Sequence, residues 1–234
     1  MNETHFRREE YAGRGDYHLK LNPNWSYYPT YLSKMKFVEN TLNTISPDKQ
    51  ILDVGCGEGA LVKKYRAKGY SIYGLDYNYG EPFIMVGSVT KLPIESNSFD
   101  VVLLLDVLEH LPFPDQEVAL EEIFRILRPG GMFIFSIPNL AHLISRIKFM
   151  FWGRLGRTAK LSKHPGDRPV EEYIALLEKT GFSINRRVGI TLSVPLLTSH
   201  LIWRHPTKFL WLHDMLGRIN LPNLSFLNIM LCQK

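Results

Sequence analysis

Two clusters in this sequence combine residue types and spacings that could do chemistry. The first, Asp53-Val-Gly55-Cys56-Gly57-Glu-Gly59-Ala60, stands where the apolar run Gln50 to Val54 gives way to an amphipathic stretch. Glycines are needed at such a strand-to-helix turn when a ligand must approach the backbone with no side chain between. The second, Asp106-Val-Leu-Glu109-His110, follows the apolar run Phe99 to Leu105. Two carboxyls and an imidazole at offsets of three and four share one face if the segment turns helical, and could then move a proton, orient a nucleophile or hold a cation.

Spacing leaves the ligand of the glycine loop ambiguous. Read as Gly55-x-Gly57-x-x-Ala60, the loop also satisfies the dinucleotide fingerprint, and Asp76 at the end of the next apolar run could hold a ribose in either case. Charge separates the options. A dinucleotide would bring a pyrophosphate against the carboxylates of Asp53 and Glu58, which oppose an anion. A ligand carrying an ammonium and a sulfonium, as S-adenosylmethionine does, suits an Asp before the first glycine.

The elements that must hold these clusters follow from hydrophobic period. Short β-branched runs alternate with amphipathic stretches from residue 50 onward, which predicts parallel strands crossed by helices. The strands expected are Gln50 to Val54, Ser71 to Leu75, Phe83 to Val86, Phe99 to Leu105, Met132 to Ile137, Phe182 to Ile190 and Leu224 to Cys232. Helices are expected over about Gly59 to Lys68, Pro114 to Leu127 and Val170 to Thr180. In the second of these Val118, Ile123, Phe124 and Leu127 should point inward and Glu121 should pair with Arg125, before Arg128-Pro-Gly-Gly ends the helix. Ahead of the sheet, Tyr28 to Thr44 should form a helix with Tyr31, Met35, Val38 and Leu42 on its packed face.

The segments ILDVGCGEGALV, YGLDYN, LPIESNSFDVVLLLDVLEHL and RILRPGGMFIFSIPN, in this order, resemble the class I S-adenosylmethionine-dependent methyltransferases, particularly the small-molecule branch that includes quinone-biosynthesis enzymes. The resemblance spans about residues 48 to 139. It implies an α/β, Rossmann-like, doubly wound sheet of seven strands, mostly parallel with the last antiparallel, plus an N-terminal helix and a lid insertion. It implies one domain over residues 1–234, with an N-terminal lid and helix (1–47), a cofactor-binding core (48–139) and a substrate, lid and closing-strand region (140–234). S-adenosyl-L-methionine is the cofactor implied. Gly55, Cys56, Gly57 and Gly59 would border its methionine part together with Asp53 and Asp106, Asp76 would bind the ribose hydroxyls, and Tyr77, Ser88 and Val89 would surround the adenine. Ser88 stands where the family usually has an acidic residue, which leaves a hydroxyl in place of a carboxylate acceptor.

Methyl transfer from a sulfonium needs an aligned nucleophile and, for a hydroxyl acceptor, a base. His110 is the candidate for that base or for orienting the acceptor, with Glu109 beside it; a histidine capping a turn beside Pro112 is the plain structural alternative. The same five residues are similar to the acidic-x-x-Glu-His arrangement of metal-assisted methyltransferases, but no further ligand is located by the sequence, His142 and His164 being scattered in a segment where surface histidines are common, so no metal is expected.

The acceptor is addressed by charge. Asn139 to Gly166 carries Arg146, Lys148, Arg154, Arg157, Lys160 and Lys163 with no Asp or Glu, so this stretch holds +6 of a net +5 and the remainder is nearly neutral. Within it, Ser145 to Lys163 mixes these cations with Phe149, Met150, Phe151 and Trp152, and a second apolar stretch runs from Thr191 to Leu212. That composition points to a small-molecule, lipid-linked, glycan or prenylated aromatic acceptor, with peripheral contact to an anionic membrane surface through residues 145–163. RNA is disfavoured because the cations sit in one insertion with no repeated aromatic platform.

Composition closes other routes. With 234 residues, 45% apolar and 22% charged, a disordered chain is excluded. Two cysteines give no disulfide framework, the first residues have no apolar stretch of a signal peptide, and no run approaches the roughly 20 apolar residues of a membrane span, so a cytoplasmic enzyme is expected. A nicotinamide-dependent oxidoreductase, and an inactive cofactor-binding protein docking on a membrane or partner, are the competing readings at this point.

Overall fold

The computed structural model describes residues 21–157 and 159–234. The first twenty residues, including the polar N-terminal part of the expected lid, and Thr158 lie outside the described residues.

Seven strands form one sheet in the order β3-β2-β1-β4-β5-β7-β6, where β1 is Ile51–Val54, β2 Ile72–Asp76, β3 Ile84–Val86, β4 Phe99–Leu105, β5 Leu127–Pro138, β6 Ser183–Leu192 and β7 Ser225–Gln233. β1 to β5 pair in parallel, and β7 runs antiparallel to both β5 and β6 between which it lies. Six α-helices, α1 (Tyr28–Leu42), α2 (Ala60–Arg66), α3 (Phe113–Ile126), α4 (Leu143–Trp152), α5 (Val170–Thr180) and α6 (Leu210–Gly217), a 3-10 turn at Leu108–His110 and a π-helical segment at Leu197–Ile202 complete the described part. The expected mostly parallel sheet with an antiparallel last strand is therefore the observed one.

Strand parity decides which layer each side chain joins, because successive residues face opposite sides. Leu52, Val54, Val102, Leu104, Phe133 and Phe135 pack with Leu120 and Ile123 of α3 and with Tyr173 and Leu177 of α5. Ile51, Val101, Leu103 and Ile134 face the other way, onto Val38 and Leu42 of α1 and Leu61, Val62 and Tyr65 of α2. Asp53, one step of two beyond Ile51, therefore points to the side covered by α1. That helix is held down by a polar chain as well as by its apolar stripe: the Thr30 and Thr191 hydroxyls lie 2.7 Å apart, and Thr191 Oγ1 is 2.8 Å from His213 Nε2 of α6.

Several local expectations are corrected. Leu127 opens β5 instead of closing α3, because the strand pairs Phe99 with Leu127 and then Val101 with Met132, leaving Arg128-Pro-Gly-Gly as an irregularity inside the strand. Val118 is exposed at 42%. Arg125 pairs with Glu122, not Glu121, through Nε at 2.7 Å and Nη2 at 2.9 Å, and also donates to the Leu92 and Ile94 carbonyls of the β3–β4 connection. These carbonyls face the Glu122 side of the helix, and four acceptors outweigh a solvent-exposed pair.

Asn139 anchors the region that diverges after β5. Its amide donates to the Asn223 and Ser225 carbonyls, both at 3.1 Å, and its oxygen accepts from the Ala141 and Val170 N–H groups. The side chain is fully buried, and Asn139→Ala leaves the buried Ser225 carbonyl and Val170 N–H without this partner. The expected cost is about 3 kcal/mol of unfolding free energy, read as a lower denaturation midpoint with an unchanged slope; a loss under ~0.5 kcal/mol would show that the junction is held elsewhere.

Candidate functional site

The glycine loop and the segment after β4 meet at the carboxyl ends of β1 and β4, where open α/β sheets offer a crevice. Gly55 has φ +72°, and a Cβ there would come 2.4 Å from Val107 Cγ2, so the loop can lie against the post-β4 segment only with glycine. Asp76 fastens the loop from the neighbouring strand: Oδ2 accepts the Gly57 N–H at 2.8 Å, and Oδ1 accepts the N–H groups of Asn78 at 2.8 Å and Tyr79 at 3.3 Å. The sequence assigns Asp76 to a ligand; the structure also gives it this backbone role. Tyr77 is half exposed beside it. Ser88 Oγ lies 2.8 Å from the Thr90 hydroxyl, and Val89 is buried, which leaves mainly their backbone for a ligand. Cys56 turns toward the sheet, where a Cβ on Gly74 would lie 2.5 Å from its Sγ, and burial pushes its thiol up, so it is a packing residue and not a nucleophile.

Asp53 is 5% exposed and its carboxyl makes no hydrogen bond among the described residues. Burial pushes it up to about 7, with the nearby Lys34 ammonium opposing and Asp76 adding to the rise. Asp106 is the contrary case. It sits in a left-handed conformation, φ +56°, and accepts from Lys34 Nζ at 2.7 Å, Tyr27 Oη at 2.8 Å and Ser136 Oγ at 2.5 Å. Burial opposes its ionisation, but the Lys34 ammonium and these hydrogen bonds outweigh it and hold the carboxyl below its ordinary range. Helical turning begins only at Leu108, so Asp106 does not share a helix face with Glu109 and His110. Lys34, Tyr27 and Ser136 were missed from sequence. The available signal was Lys34 itself, a charge three residues after Tyr31 and four before Val38 on the packed face of α1.

Beyond Asp106 a second group of side chains converges. Glu109 is 1% exposed, its Oε2 has no hydrogen-bond partner, and burial, reinforced by the Asp106 charge, pushes its carboxyl up. His110 Nδ1 lies 2.8 Å from the Lys163 carbonyl, so it carries the proton and the neutral ring keeps its lone pair on Nε2. Burial, then the neighbouring His164, lower His110 to about 4. The His110 and His164 rings meet edge to face at 4.6 Å, and His164 Nδ1 lies 3.3 Å from Asp167 Oδ1. One donor atom from each of Glu109, His110 and His164 falls within 4.8 Å of the others, a set able to bind a divalent ion. The sequence placed no metal and treated the late histidines as surface residues. In the structure His164 joins this cluster, while His142, 2% exposed, is bonded through both nitrogens to Ser193 Oγ and the Gly156 carbonyl, each at 2.9 Å.

The residues present fit a cationic cofactor on one observation: a buried carboxyl, Asp53, that makes no hydrogen bond among the described residues and stands beside the glycine turn. The same burial has a measurable cost. A folded-state value raised from 3.8 to about 7 means that stability is lost as pH climbs between those values, by at most about 4 kcal/mol. Asp53→Asn is expected to raise the melting temperature of the ligand-free protein at pH 8 and to leave it nearly unchanged at pH 4, while weakening S-adenosylmethionine in calorimetry. A variant destabilised at pH 8 would show that Asp53 already has its cation.

Residues 52–135 match the family model described as a methyltransferase domain. A probable S-adenosylmethionine-dependent methyltransferase of Mycolicibacterium smegmatis is 33% identical over 61% of this chain and 55% of that protein. A ubiquinone biosynthesis O-methyltransferase of Pseudomonas fluorescens is 32% identical over 39% of this chain and 45% of that protein. The chain thus spans about half the length of these curated relatives. Among solved structures, a SAM-dependent methyltransferase of Thermotoga maritima aligns over 89% of this chain and 92% of that chain with a TM-score of 0.56 at 18% identity, a likeness of fold. The matched stretch holds the glycine loop, Asp76 and the post-β4 cluster on the sheet order just described, and over these residues the chain is similar to S-adenosylmethionine-dependent methyltransferases.

Proposed function

We propose that this chain transfers the methyl group of S-adenosylmethionine to an oxygen, acidic carbon or nitrogen of a small-molecule, lipid-linked, glycan or prenylated aromatic acceptor. The observation that carries this reading is Asp53, a buried carboxyl without a hydrogen bond among the described residues at the glycine turn, which favours a cation over a pyrophosphate. The quinone-pathway relative supports an aromatic acceptor.

When bound, S-adenosylmethionine supplies both the electrophilic carbon and its own leaving group. The chain supplies the rest. Asp53 and Asp106 hold the cationic end, the Gly55 to Gly59 backbone lets the ligand lie close, Asp76 and Tyr77 take the ribose and adenine side with Ser88 and Val89, and His110 orients the nucleophile or accepts its proton at Nε2. His110 stays neutral above about pH 4, so its basic form is available across the physiological range.

A second mode of activating a hydroxyl is favoured by the bare Glu109 Oε2 beside the two imidazoles. A divalent ion held by Glu109, His110 and His164 would lower the pKa of a coordinated hydroxyl. The exposed Phe149, Met150, Phe151 and Trp152 at the end of α4, flanked by Arg146, Lys148 and Arg154, support peripheral membrane contact through residues 145–163. No helix of the described residues is long and apolar enough to cross a membrane.

The test is methyl-labelled S-adenosylmethionine offered with cell extract separated into aqueous, lipid and RNA fractions. Label is expected in the aqueous or lipid fraction, and His110→Ala should lower turnover by roughly 100-fold without weakening cofactor binding. NADH binding in calorimetry with no uptake of S-adenosylmethionine would overturn the reading. Added Mn2+ should raise turnover in the wild type but not in Glu109→Gln if the ion acts; turnover insensitive to Mn2+ and to chelator in both assigns the step to His110 alone.

A further inference from the structure

A cavity of about 140 Å³ opens between the start of α1, the start of α4 and the β6–β7 connection. Its walls are aromatic. Phe226 lines it and meets the Trp203 ring edge-on at 5.2 Å, Tyr27 at 6.2 Å and His142 at 5.3 Å. A closed apolar cavity of roughly 150 Å³ holds a benzene ring, so this one has room for a single six-membered ring, with any larger part of the molecule projecting through the open side.

Two cations line the same cavity, Lys148 of α4 and Arg157 beyond it. Both are exposed, and neither has a carboxylate partner among the described residues. The imbalance is local: the segment that bears them contains no acid at all between Asn139 and Gly166. His142 on the wall contributes no charge near neutral pH, since burial first and Lys148 in addition lower it to about 4 against the pull of its Gly156 hydrogen bond and Asp167. The cavity also touches the proposed reaction centre, because Tyr27 forms part of its wall and donates through its hydroxyl to Asp106 at 2.8 Å.

We propose that this cavity is the acceptor subsite and that its ligand is an aromatic ring bearing an anionic group, a carboxylate or a phosphate, held by Lys148 and Arg157 while the ring stacks among Trp203, Phe226 and Tyr27. The proposal rests on the methyltransferase reading for the word acceptor, and not for the binding itself. A planar carboxylate suits the guanidinium of Arg157, and aromatic faces recognise any ring, so charge selects the class and shape selects the size. The neutral hydroxylated end is directed inward, toward Tyr27 and the edge of the sheet, because the cations stand at the mouth.

The test uses the full chain and tryptophan fluorescence, with Trp203→Phe to identify the reporter. The probes are 4-hydroxybenzoate, phenyl phosphate, the neutral 4-hydroxybenzamide, and vesicles of phosphatidylglycerol without any aromatic acid. At least tenfold tighter binding of the two anions than of the amide is expected, with the advantage lost in Lys148→Ala/Arg157→Ala and kept in Arg154→Ala/Lys160→Ala, which removes the same charge from outside the cavity. Melting curves of both double variants report folding. Equal affinity for anion and amide, an equal loss in the control pair, or a Lys148/Arg157 effect seen on vesicles and absent with the soluble acids would each overturn the proposal. S-adenosylmethionine binding is measured in parallel. Acid binding without cofactor binding would sink the methyltransferase reading and leave the subsite standing; the reverse outcome would sink the subsite alone.

Discussion

One ammonium serves three carboxyl groups, two buried and one partly buried, at the carboxyl edge of this sheet. Lys34 bonds Asp106 directly at 2.7 Å and also acts on the charge states of Asp53 and Glu109. Taking a carboxylate out of water costs several kcal/mol, and a single cation offsets that for one group only. The contact decides the order. Asp106, bonded three ways, stays ionised; Asp53 and Glu109, without such bonds, are pushed toward their protonated forms. The site therefore leaves two carboxyls, Asp53 and Glu109, without a directly bonded cation among the described residues.

That arrangement depends on parity and on one helix. Asp53 faces α1 because it is two residues from Ile51 on a strand whose odd positions pack that way. Lys34 reaches the edge because its offsets from Tyr31 and Val38 place it on the buried side of α1, and the Thr30–Thr191–His213 chain fixes that helix to β6 and α6. Tyr27, one residue before α1, then links Asp106 to the aromatic cavity. Lys34 of α1 and Tyr27 just before it thus place the carboxyl contact and the cavity wall on one segment.

The strands and the glycine loop were legible because their signals are local: period, β-branching and a turn that only glycine can form. β4 and α5 fall at the expected residues. What was not legible depends on distant contacts. Nothing within the sequence around Arg125 distinguishes Glu121 from Glu122; the carbonyls of Leu92 and Ile94, some thirty residues away, decide it. The expected common helical face of Asp106, Glu109 and His110 failed for the same reason, since Asp106 is pulled into a left-handed turn by groups from α1 and β5. His164 looked like a surface residue because the ring it meets, His110, lies more than fifty positions back, in a 3-10 turn.

Charge is also sorted by depth. Carboxyls lie inside, at the strand ends, where low polarisability strengthens their preference for a cation. The cations of the post-β5 insertion lie at the surface, where water screens them from those carboxyls and leaves them open to an incoming anion. Were Lys148 or Arg157 to reach the interior, either could satisfy Asp53 and close the site to a cationic ligand. Their exposure, and the occupation of Asp106 by Lys34, leave Asp53 without a directly bonded cation and the outer cations available at the same time. On the proposed reading a cationic donor and an anionic acceptor would lie on different sides of Tyr27, which bonds Asp106 and lines the aromatic cavity.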